Sequence, residues 1–365
     1  MFSENGKISL HQLKCLFFLD WAGKMTLLLP QTCNMLQGWN YLAAIVLGCV
    51  WMYLFAHVIA AVSGQIQDNF TNYIAERMGK YTADITGILF LIYLIWNQNY
   101  LAWMTARICH VFLLPEISEY LLGILFLTAG LMTAVPDGQV RGRCAQFLWI
   151  PVGLLLSLML LAGARGIQSE NYLLSREFTP IQVLHRSGRV FGGLMAVIFV
   201  LYETPYISWK DEKRGKALRS CIRLPVLFLL AAFFIAVGVF GTKGISRLSW
   251  PIITLMNSAQ APGVFLQRWD AVFLAFLLFS LFVAAGTGSH YMERITGEIF
   301  SGKDNRRMLV ICFGISAVLF FATGNFEMAS RMYLKIAVCG LIPIMVLIPI
   351  LLLIIEKGKS RGAGK

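Results

Sequence analysis

Long apolar segments alternate with short polar ones along the whole chain. The apolar segments have the length of a membrane crossing, which takes about 20 residues in a helix. The pattern predicts ten spans, which we place at about Ile8–Gln31, Trp39–Val62, Ala83–Ala106, Ile117–Val135, Cys144–Ala164, Val190–Trp209, Leu224–Phe240, Asp270–Ser289, Met308–Ala322 and Met332–Ile355. We therefore predict an all-α integral membrane protein with a single membrane domain.

The first span is interrupted near its centre. It begins with Ser9-Leu-His-Gln12, where a hydroxyl and a side-chain amide three residues apart are typical of a helix start. Asp20-Trp-Ala-Gly-Lys24 then places two charges deep in the span, where each charge costs at least about 2.5–3.5 kcal/mol. We predict an unwound helix at a substrate pocket; the alternative is a continuous helix in which Asp20 and Lys24 form an ion pair.

The sixth span is also interrupted. Its apolar part, Val190–Leu201, is too short to cross a membrane alone, and it continues through Tyr202-Glu-Thr-Pro205. Thr204 is a suitable N-cap and Pro205 suits the first position of a helix. We predict that a second half-helix begins there, with Glu203 at the break.

The interrupted spans occupy corresponding positions, first and sixth, in two halves of five spans. Secondary transporters built from inverted repeats bind their substrates between such broken helices. We predict a first repeat at about 8–164, a polar connection at Arg165–Ser187, a second repeat at about 188–355 and a basic tail at 356–365. Spacing alone supports the repeats, because the halves share no sequence identity, and two ordinary kinks are the alternative.

Composition excludes a soluble protein, since 58% of the residues are hydrophobic and only 14% are charged. The net charge of +12 arises from Lys and Arg in short loops, so it gives no reason to expect nucleic acid as a partner. Placing both termini in the cytoplasm gives roughly twice as many basic residues inside as outside. The sequence therefore predicts a multi-pass protein of the cell membrane with cytoplasmic termini.

Signals for enzyme or cofactor chemistry are missing from the sequence. Eight cysteines are scattered singly, five histidines show no metal-ligand spacing, and Gly286-Thr-Gly-Ser289 is too short for a phosphate loop. We predict no metal, no cofactor and no enzymatic activity.

Two local patterns resemble a known family. The opening Lys7-Ile-Ser-Leu-His-Gln12, leading to Gly23 and Leu29-Pro30, is similar to the start of the spore germination permeases. These are the B subunits of endospore germinant receptors, within the amino-acid/polyamine/organocation transporter superfamily. The segment from Trp250-Pro through Pro262-Gly to Arg268-Trp-Asp-Ala271 resembles the same family more closely.

The resemblance implies a receptor subunit in the spore inner membrane that senses a small nutrient, an amino acid or similar, beside an A subunit and a lipoprotein C subunit. Its first span departs from the family at Gly23-Lys24-Met25, where small residues such as Gly-Thr-Gly are usual. A cation at this position changes the usual carboxylate cradle, and the ligand is expected to differ accordingly.

The predicted ligand-binding residues are Asp20, Ala22, Gly23, Lys24, Asn97, Tyr202, Glu203 and Thr204. Lys24 has three candidate partners, namely a ligand carboxylate, Asp20 and Glu203, and we predict that Lys24, Asp20 and Glu203 form one coupled pocket. Glu203 is also a candidate proton carrier. Asn97 and its neighbours either line the pocket or join helices to one another.

Two functions fit these observations. The first is a germinant receptor subunit that senses its ligand without bulk transport, and the second is a secondary transporter that moves an amino acid with protons or sodium ions. A pure scaffold for other subunits has no need of charges deep in a span.

The predicted topology can be tested with single cysteines in a background that lacks the native ones. We expect an impermeant thiol reagent added outside intact cells to label Ser246→Cys, in an outer loop, and to leave Ser360→Cys, in the cytoplasmic tail, unlabelled. Labelling of Ser360→Cys from outside would contradict the orientation.

Overall fold

A computed structural model of the protein describes residues 7–33, 39–133, 138–172, 179–209, 214–248, 250–258, 269–300 and 305–362. Over these ranges the chain is almost wholly helical. The helices are α1 (Leu10–Cys33), α2 (Trp39–Ser63), α3 (Phe70–Met78), α4 (Lys80–Phe112), α5 (Glu119–Met132), α6 (Gly138–Ala164), α7 (Pro180–Gly193), α8 (Val200–Glu203), α9 (Arg214–Arg247), α10 (Pro251–Ser258), α11 (Trp269–Ile299), α12 (Asn305–Thr323), α13 (Phe326–Met332) and α14 (Ile342–Gly362).

Helix α1 is continuous through Asp20–Lys24, so the predicted break in the first span is wrong and the alternative, an ion pair within one helix, is confirmed. Its predicted start is also confirmed: the Ser9 N–H donates to Gln12 Oε1 at 3.0 Å, and the Gln12 N–H donates to Ser9 Oγ at 3.2 Å. Helix α1 packs against α6, α7, α9 and α11. It therefore lies at the centre of the bundle.

Gly23 allows this helix to approach α11 closely. A Cβ atom at position 23 would lie 2.8 Å from Leu281 Cδ2 and 3.1 Å from Ser280 Oγ. Gly23 thus serves the packing of α1 against α11 and does not break α1. A glycine between two charges suggested an interruption in the sequence that the structure does not contain.

The sixth span is broken, as predicted, but nine residues before Glu203. Helix α7 and the segment Met195–Tyr206 are bent by 49° about Leu194. The residues Met195–Phe199 and Thr204–Tyr206 form 3₁₀ turns. Thr204 is not an N-cap, because its hydroxyl donates to the Val200 carbonyl at 2.8 Å.

The predicted polar connection Arg165–Ser187 is wrong at its C-terminal end, since α7 begins at Pro180. Helix α7 buries Val183, Ser187 and Val190, and its exposed residues include Ile181 and Leu184. Polar residues between these apolar ones hid the helix in the sequence. It lies close to α2 because Gly48 has no side chain: a Cβ there would be 2.6 Å from Val190 Cβ.

Two short strands join the start of α1 to the end of the sixth span. β1 (Ile8–Ser9) and β2 (Ile207–Ser208) pair in parallel, with Ile8 opposite Ile207 and Ser9 opposite Ser208. Because β1 leads directly into α1, this pairing fixes the first turn of α1 beside the residues that follow Glu203.

Six helices of the described chain are long and apolar enough to cross a membrane, and the bent pair Pro180–Gly193 and Met195–Tyr206 adds a seventh. Large apolar side chains such as Phe147, Leu161 and Val318 are exposed on the outside of the bundle, as expected of surfaces that face lipid. The prediction of an all-α, multi-pass membrane protein is confirmed. The count of ten spans and the two inverted repeats stay predictions.

Other boundaries differ from the predicted ones. α3 is an additional short helix, and α9 begins at Arg214, ten residues before the predicted start of its span. The predicted end of that span, Phe240, lies one residue before a kink at Gly241, whose φ is +66°. The segment after Trp250 forms a short helix, α10. The Pro262-Gly…Arg268 motif and the last residues of the tail lie outside the described residues.

Candidate functional site

Asp20 and Lys24 form an ion pair in the middle of the bundle. Lys24 Nζ lies 2.9 Å from Asp20 Oδ1 and 3.0 Å from Asp20 Oδ2, and both side chains are largely buried. The acid precedes the base by four residues, which is the favourable order on a helix. The two charges predicted from the sequence therefore neutralise each other on one turn of α1.

A small cavity connects this pair with the break of the sixth span. Asp20 and Trp21 line it from α1, and Leu194, Ala196 and Val197 line it from the break. Its volume is about 20 Å³, enough for a single water molecule. The Trp21 Nε1 proton donor is buried there without a hydrogen-bond partner among the described residues.

Three tyrosines lie within electrostatic range of Asp20, namely Tyr93, Tyr291 and Tyr333. The hydroxyl of Tyr333 donates to Asn97 Oδ1 at 3.4 Å, and its ring stacks on that of Tyr100 at 4.4 Å. Tyr333 opens a π-helical segment, Tyr333–Leu341, a kind of distortion that is frequent at functional sites. Asn97 is thus linked to the Asp20 region through Tyr333.

The neighbours of Asn97 have different roles. Gln98 Nε2 donates to the Ala285 carbonyl at 2.6 Å and to Ser289 Oγ at 3.2 Å, so it joins α4 to α11. Neither amide atom of Asn99 has a partner among the described residues, although the side chain is fully buried. The alternative that polar residues of this span connect helices is correct for Gln98.

Glu203 is paired with a residue that the sequence analysis did not select. His290 Nε2, on α11, lies 2.6 Å from Glu203 Oε1, and the side chains are 4% and 2% exposed. Lys24 is paired with Asp20 instead. Within the described residues, the predicted three-member pocket is therefore two separate acid–base pairs.

These two pairs lie at different levels of α1. β1 and β2 place the residues just after Glu203 beside Ser9, and Asp20 is a further eleven residues along the helix, roughly 16 Å at 1.5 Å per residue. Tyr291 lies within electrostatic range of both Asp20 and Glu203, and its ring stacks on Phe199 at 4.9 Å. The residue after His290 therefore connects the two charged regions.

Two arginines surround the Glu203–His290 pair. Arg141, on α6, and Arg294, on α11, both lie within electrostatic range of Glu203. The Arg294 guanidinium stacks 3.6 Å above the Tyr206 ring, in cation–π geometry. Glu203 thus lies beside one histidine and two arginines, with Glu298 as an acidic neighbour.

The remaining predicted residues make packing contacts. Ala22 is buried in α1, and Gly23 contacts α11. Tyr202 is fully buried edge-to-face against Phe70 and Phe90, with its hydroxyl unpartnered among the described residues. Thr204 accepts a hydrogen bond at its carbonyl from Trp209 Nε1 at 3.0 Å. Their assignment to a ligand site stays a prediction.

His290 and Arg141 carried a signal that the sequence analysis did not use. An ionisable side chain within a spanning segment marks a functional site by default, and His290 follows an apolar run of about twenty residues. Arg141 was taken for a loop residue because the fifth span was placed from Cys144, whereas α6 begins at Gly138.

Comparison with known proteins defines the family. The family model described as "Spore germination protein" matches residues 7–328. The chain belongs to the spore germination protein family.

Curated members of the family are similar over much of the chain. Spore germination protein YndE of Bacillus subtilis (strain 168) is 21% identical over 372 residues, which cover 99% of each protein. Spore germination protein A2 of the same organism is 21% identical over 306 residues, covering 82% of this chain and 81% of that protein. The resemblance stated from the sequence is therefore confirmed.

Solved structures of transporters share the fold. MhsT in complex with L-phenylalanine superposes with a TM-score of 0.67 at 13% identity, covering 92% of this chain and 87% of that one. Mhp1, a nucleobase-cation-symport-1 family transporter with bromovinylhydantoin bound, gives 0.63 at 13% identity, covering 86% and 72%. This spore germination family member therefore shares the fold of MhsT and Mhp1.

The Glu203–His290 pair can be tested with a double-mutant cycle. We expect Glu203→Gln and His290→Gln each to destabilise the detergent-solubilised protein by about 3–5 kcal/mol, because each leaves a buried polar partner alone. The double variant should lose less than the sum of the two, since neither partner remains. Thermal unfolding measures all three, with the exposed Glu116→Gln as the control. Additive losses would contradict a direct pair.

Proposed function

We propose that the chain is the B subunit of an endospore germinant receptor and that it senses a small zwitterionic nutrient of the amino-acid class. The observation that carries this proposal is the Asp20–Lys24 pair, which faces the break of the sixth span across a small cavity. A carboxylate and an ammonium side by side complement the two charges of a free amino acid. A broken span supplies backbone groups that are not used within a helix.

The fold supports an amino-acid ligand. One of its structural neighbours is described with L-phenylalanine bound, so the architecture accommodates an amino acid. We propose that Asp20 and Lys24 bind the ligand directly, beside Ala22 and Gly23 on α1, that the backbone at the break near Leu194 completes the site, and that Asn97 acts through Tyr333.

The size of the cavity supports sensing by a conformational change. A volume of about 20 Å³ is far below the roughly 300 Å³ at the lower end of ligand pockets. An amino acid therefore enters only if α1 and the break of the sixth span separate. A ligand that binds the open state alone shifts the protein towards that state.

We propose that the receptor uses this shift as its signal. The opened state would be recognised by an A subunit and a lipoprotein C subunit in the spore inner membrane. In this proposal the chain has ten spans, in two inverted repeats, and both termini are cytoplasmic. The excess of Lys and Arg in the loops assigned to the cytoplasm supports the orientation.

The alternative function is a proton- or sodium-coupled amino-acid transporter. Its supporting observation is Glu203, which is buried against His290 beside the end of the sixth span. A buried carboxylate–imidazole pair is suited to take up and release a proton. The same movement of the sixth span would then complete a transport cycle.

Reconstitution distinguishes the two functions. We expect the purified chain in liposomes to bind a germinant amino acid weakly and not to accumulate it against a gradient. Spores without the chain should lose the response to one class of nutrient and still germinate with others. Saturable, gradient-driven uptake by the chain alone would establish the transporter, and loss of response to every nutrient would indicate a general assembly role.

The role of the Asp20–Lys24 pair can be tested separately. We expect Lys24→Met to abolish the response to the germinant and to lower protein abundance, because Asp20 is left buried and unpaired at a cost of about 3–5 kcal/mol. Lys357→Met, an exposed lysine in α14, is the matched control.

The double variant Asp20→Asn, Lys24→Met separates folding from ligand binding. It should restore abundance, since no buried charge is unpaired, without restoring the response. Immunoblots of spore membranes and germination assays measure the two quantities. A normal response in Lys24→Met spores would remove this pair from the ligand site.

A further inference from the structure

A groove of about 220 Å³ lies between α1, α5, α6 and α11, away from the cavity at Asp20. Its walls are mostly apolar, and two wall residues, Val140 and Phe279, are 48% and 47% exposed. Both belong to helices that are long and apolar enough to cross a membrane. In a bilayer the groove therefore opens towards the lipid.

Arg141 lies in this groove and is only 8% exposed. Its Nε and Nη1 groups have no hydrogen-bond partner among the described residues. Glu203 and Glu293 attract it electrostatically, but Glu203 is already 2.6 Å from His290 and neither carboxylate accepts a hydrogen bond from Nε or Nη1. Arginine stays charged in proteins, so a buried guanidinium with unused donors favours an external anion.

The groove has a polar end and an apolar end. Thr133, Arg141 and Thr287 line its polar end. Gly286 of α11 directly contacts Thr133, and a Cβ on Gly138, at the start of α6, would lie 4.0 Å from His290 Nε2 of α11. The start of α6 and the end of α5 therefore both lie close to α11. Leu148 and Phe279 lie seven and eight residues away along α6 and α11, about 10–12 Å at 1.5 Å per residue. A polar end followed by an apolar end at this distance matches a lipid headgroup followed by the first part of its acyl chain.

The two threonines indicate which kind of headgroup the groove prefers. Thr133 Oγ1 donates to the Gly130 carbonyl at 2.8 Å, and Thr287 Oγ1 donates to the Val283 carbonyl at 2.7 Å. Their hydroxyl protons are therefore used, and only acceptor lone pairs remain for a ligand. A headgroup that carries hydroxyl donors beside its phosphate complements these acceptors and the Arg141 donors together.

We propose that this groove binds one anionic phospholipid with a hydroxylated headgroup, its phosphate against Arg141 and an acyl chain along Leu148 and Phe279. The phosphate supplies the charge-assisted hydrogen bonds that Arg141 lacks. Basic pockets between spanning helices are a physically sound site for anionic headgroups. The lipid phosphate would neutralise the charge of Arg141, and Glu203 would remain paired with His290.

Native mass spectrometry of the detergent-solubilised full chain tests the proposal, with phosphatidylglycerol and phosphatidylcholine as probes. We expect one phosphatidylglycerol per chain, bound about tenfold more weakly by Arg141→Gln, which loses charge-assisted hydrogen bonds. Arg143→Gln, an exposed arginine on the same helix, should bind like the wild type. Phosphatidylcholine should bind the wild type more weakly than phosphatidylglycerol does. The two lipids should bind Arg141→Gln equally.

A second variant keeps the proposal testable if Arg141→Gln fails to fold. Val140→Trp fills the groove from an exposed position and keeps Arg141, so it should lose the lipid and remain folded. Unchanged phosphatidylglycerol binding by Arg141→Gln or by Val140→Trp would overturn the proposal. Glycerol phosphate binding as tightly as phosphatidylglycerol would overturn it too, because the acyl chain would then contribute nothing.

Discussion

The cost of a charge buried inside an apolar bundle is the constraint on which this structure depends. An ionised side chain without a partner is costly in a low-dielectric interior. The protein meets this constraint in two ways. Asp20 and Lys24 are partners on one turn of α1, whereas Glu203 and His290 come from the sixth span and from α11. The first pair forms as soon as a helix forms, and the second requires the assembled bundle.

The arrangement around the sixth span combines a fixed end with a bend. The pairing of β1 with β2 holds the end of the span beside the start of α1, and the Glu203–His290 pair holds it to α11. The bend about Leu194 comes earlier in the span than both contacts and lines the cavity at Asp20. Movement at this bend therefore changes the cavity at Asp20 while the end of the span stays attached. Tyr291 lies within electrostatic range of both Asp20 and Glu203, so a change at either pair acts on it.

Close approach of the helices depends on glycines at particular places. Gly23 brings α1 against Leu281, Gly48 brings α2 against Val190, and Gly286 admits the Thr133 hydroxyl to α11. Packing of small residues is a main source of helix association in membranes, where water does not drive apolar surfaces together. Gly23 and Gly286 lie beside Asp20 and Arg141 respectively, so the packing of the bundle also positions its charged sites.

The sequence by itself determined the features that rest on local chemistry. The apolar segments predicted a multi-pass helical protein, Ser9 and Gln12 predicted the start of α1, and the charges at Asp20 and Lys24 marked the centre of the first span. Family motifs within residues 7–30 and 250–271 identified the spore germination proteins. Only the tertiary structure decided whether α1 is broken, since the ion pair and the contact of Gly23 with Leu281 keep it continuous. It also moved the break of the sixth span to Leu194 and gave Glu203 its partner, His290, from 87 positions further along the chain. Such partners cannot be found by spacing along one helix, because they are chosen by which helices pack together.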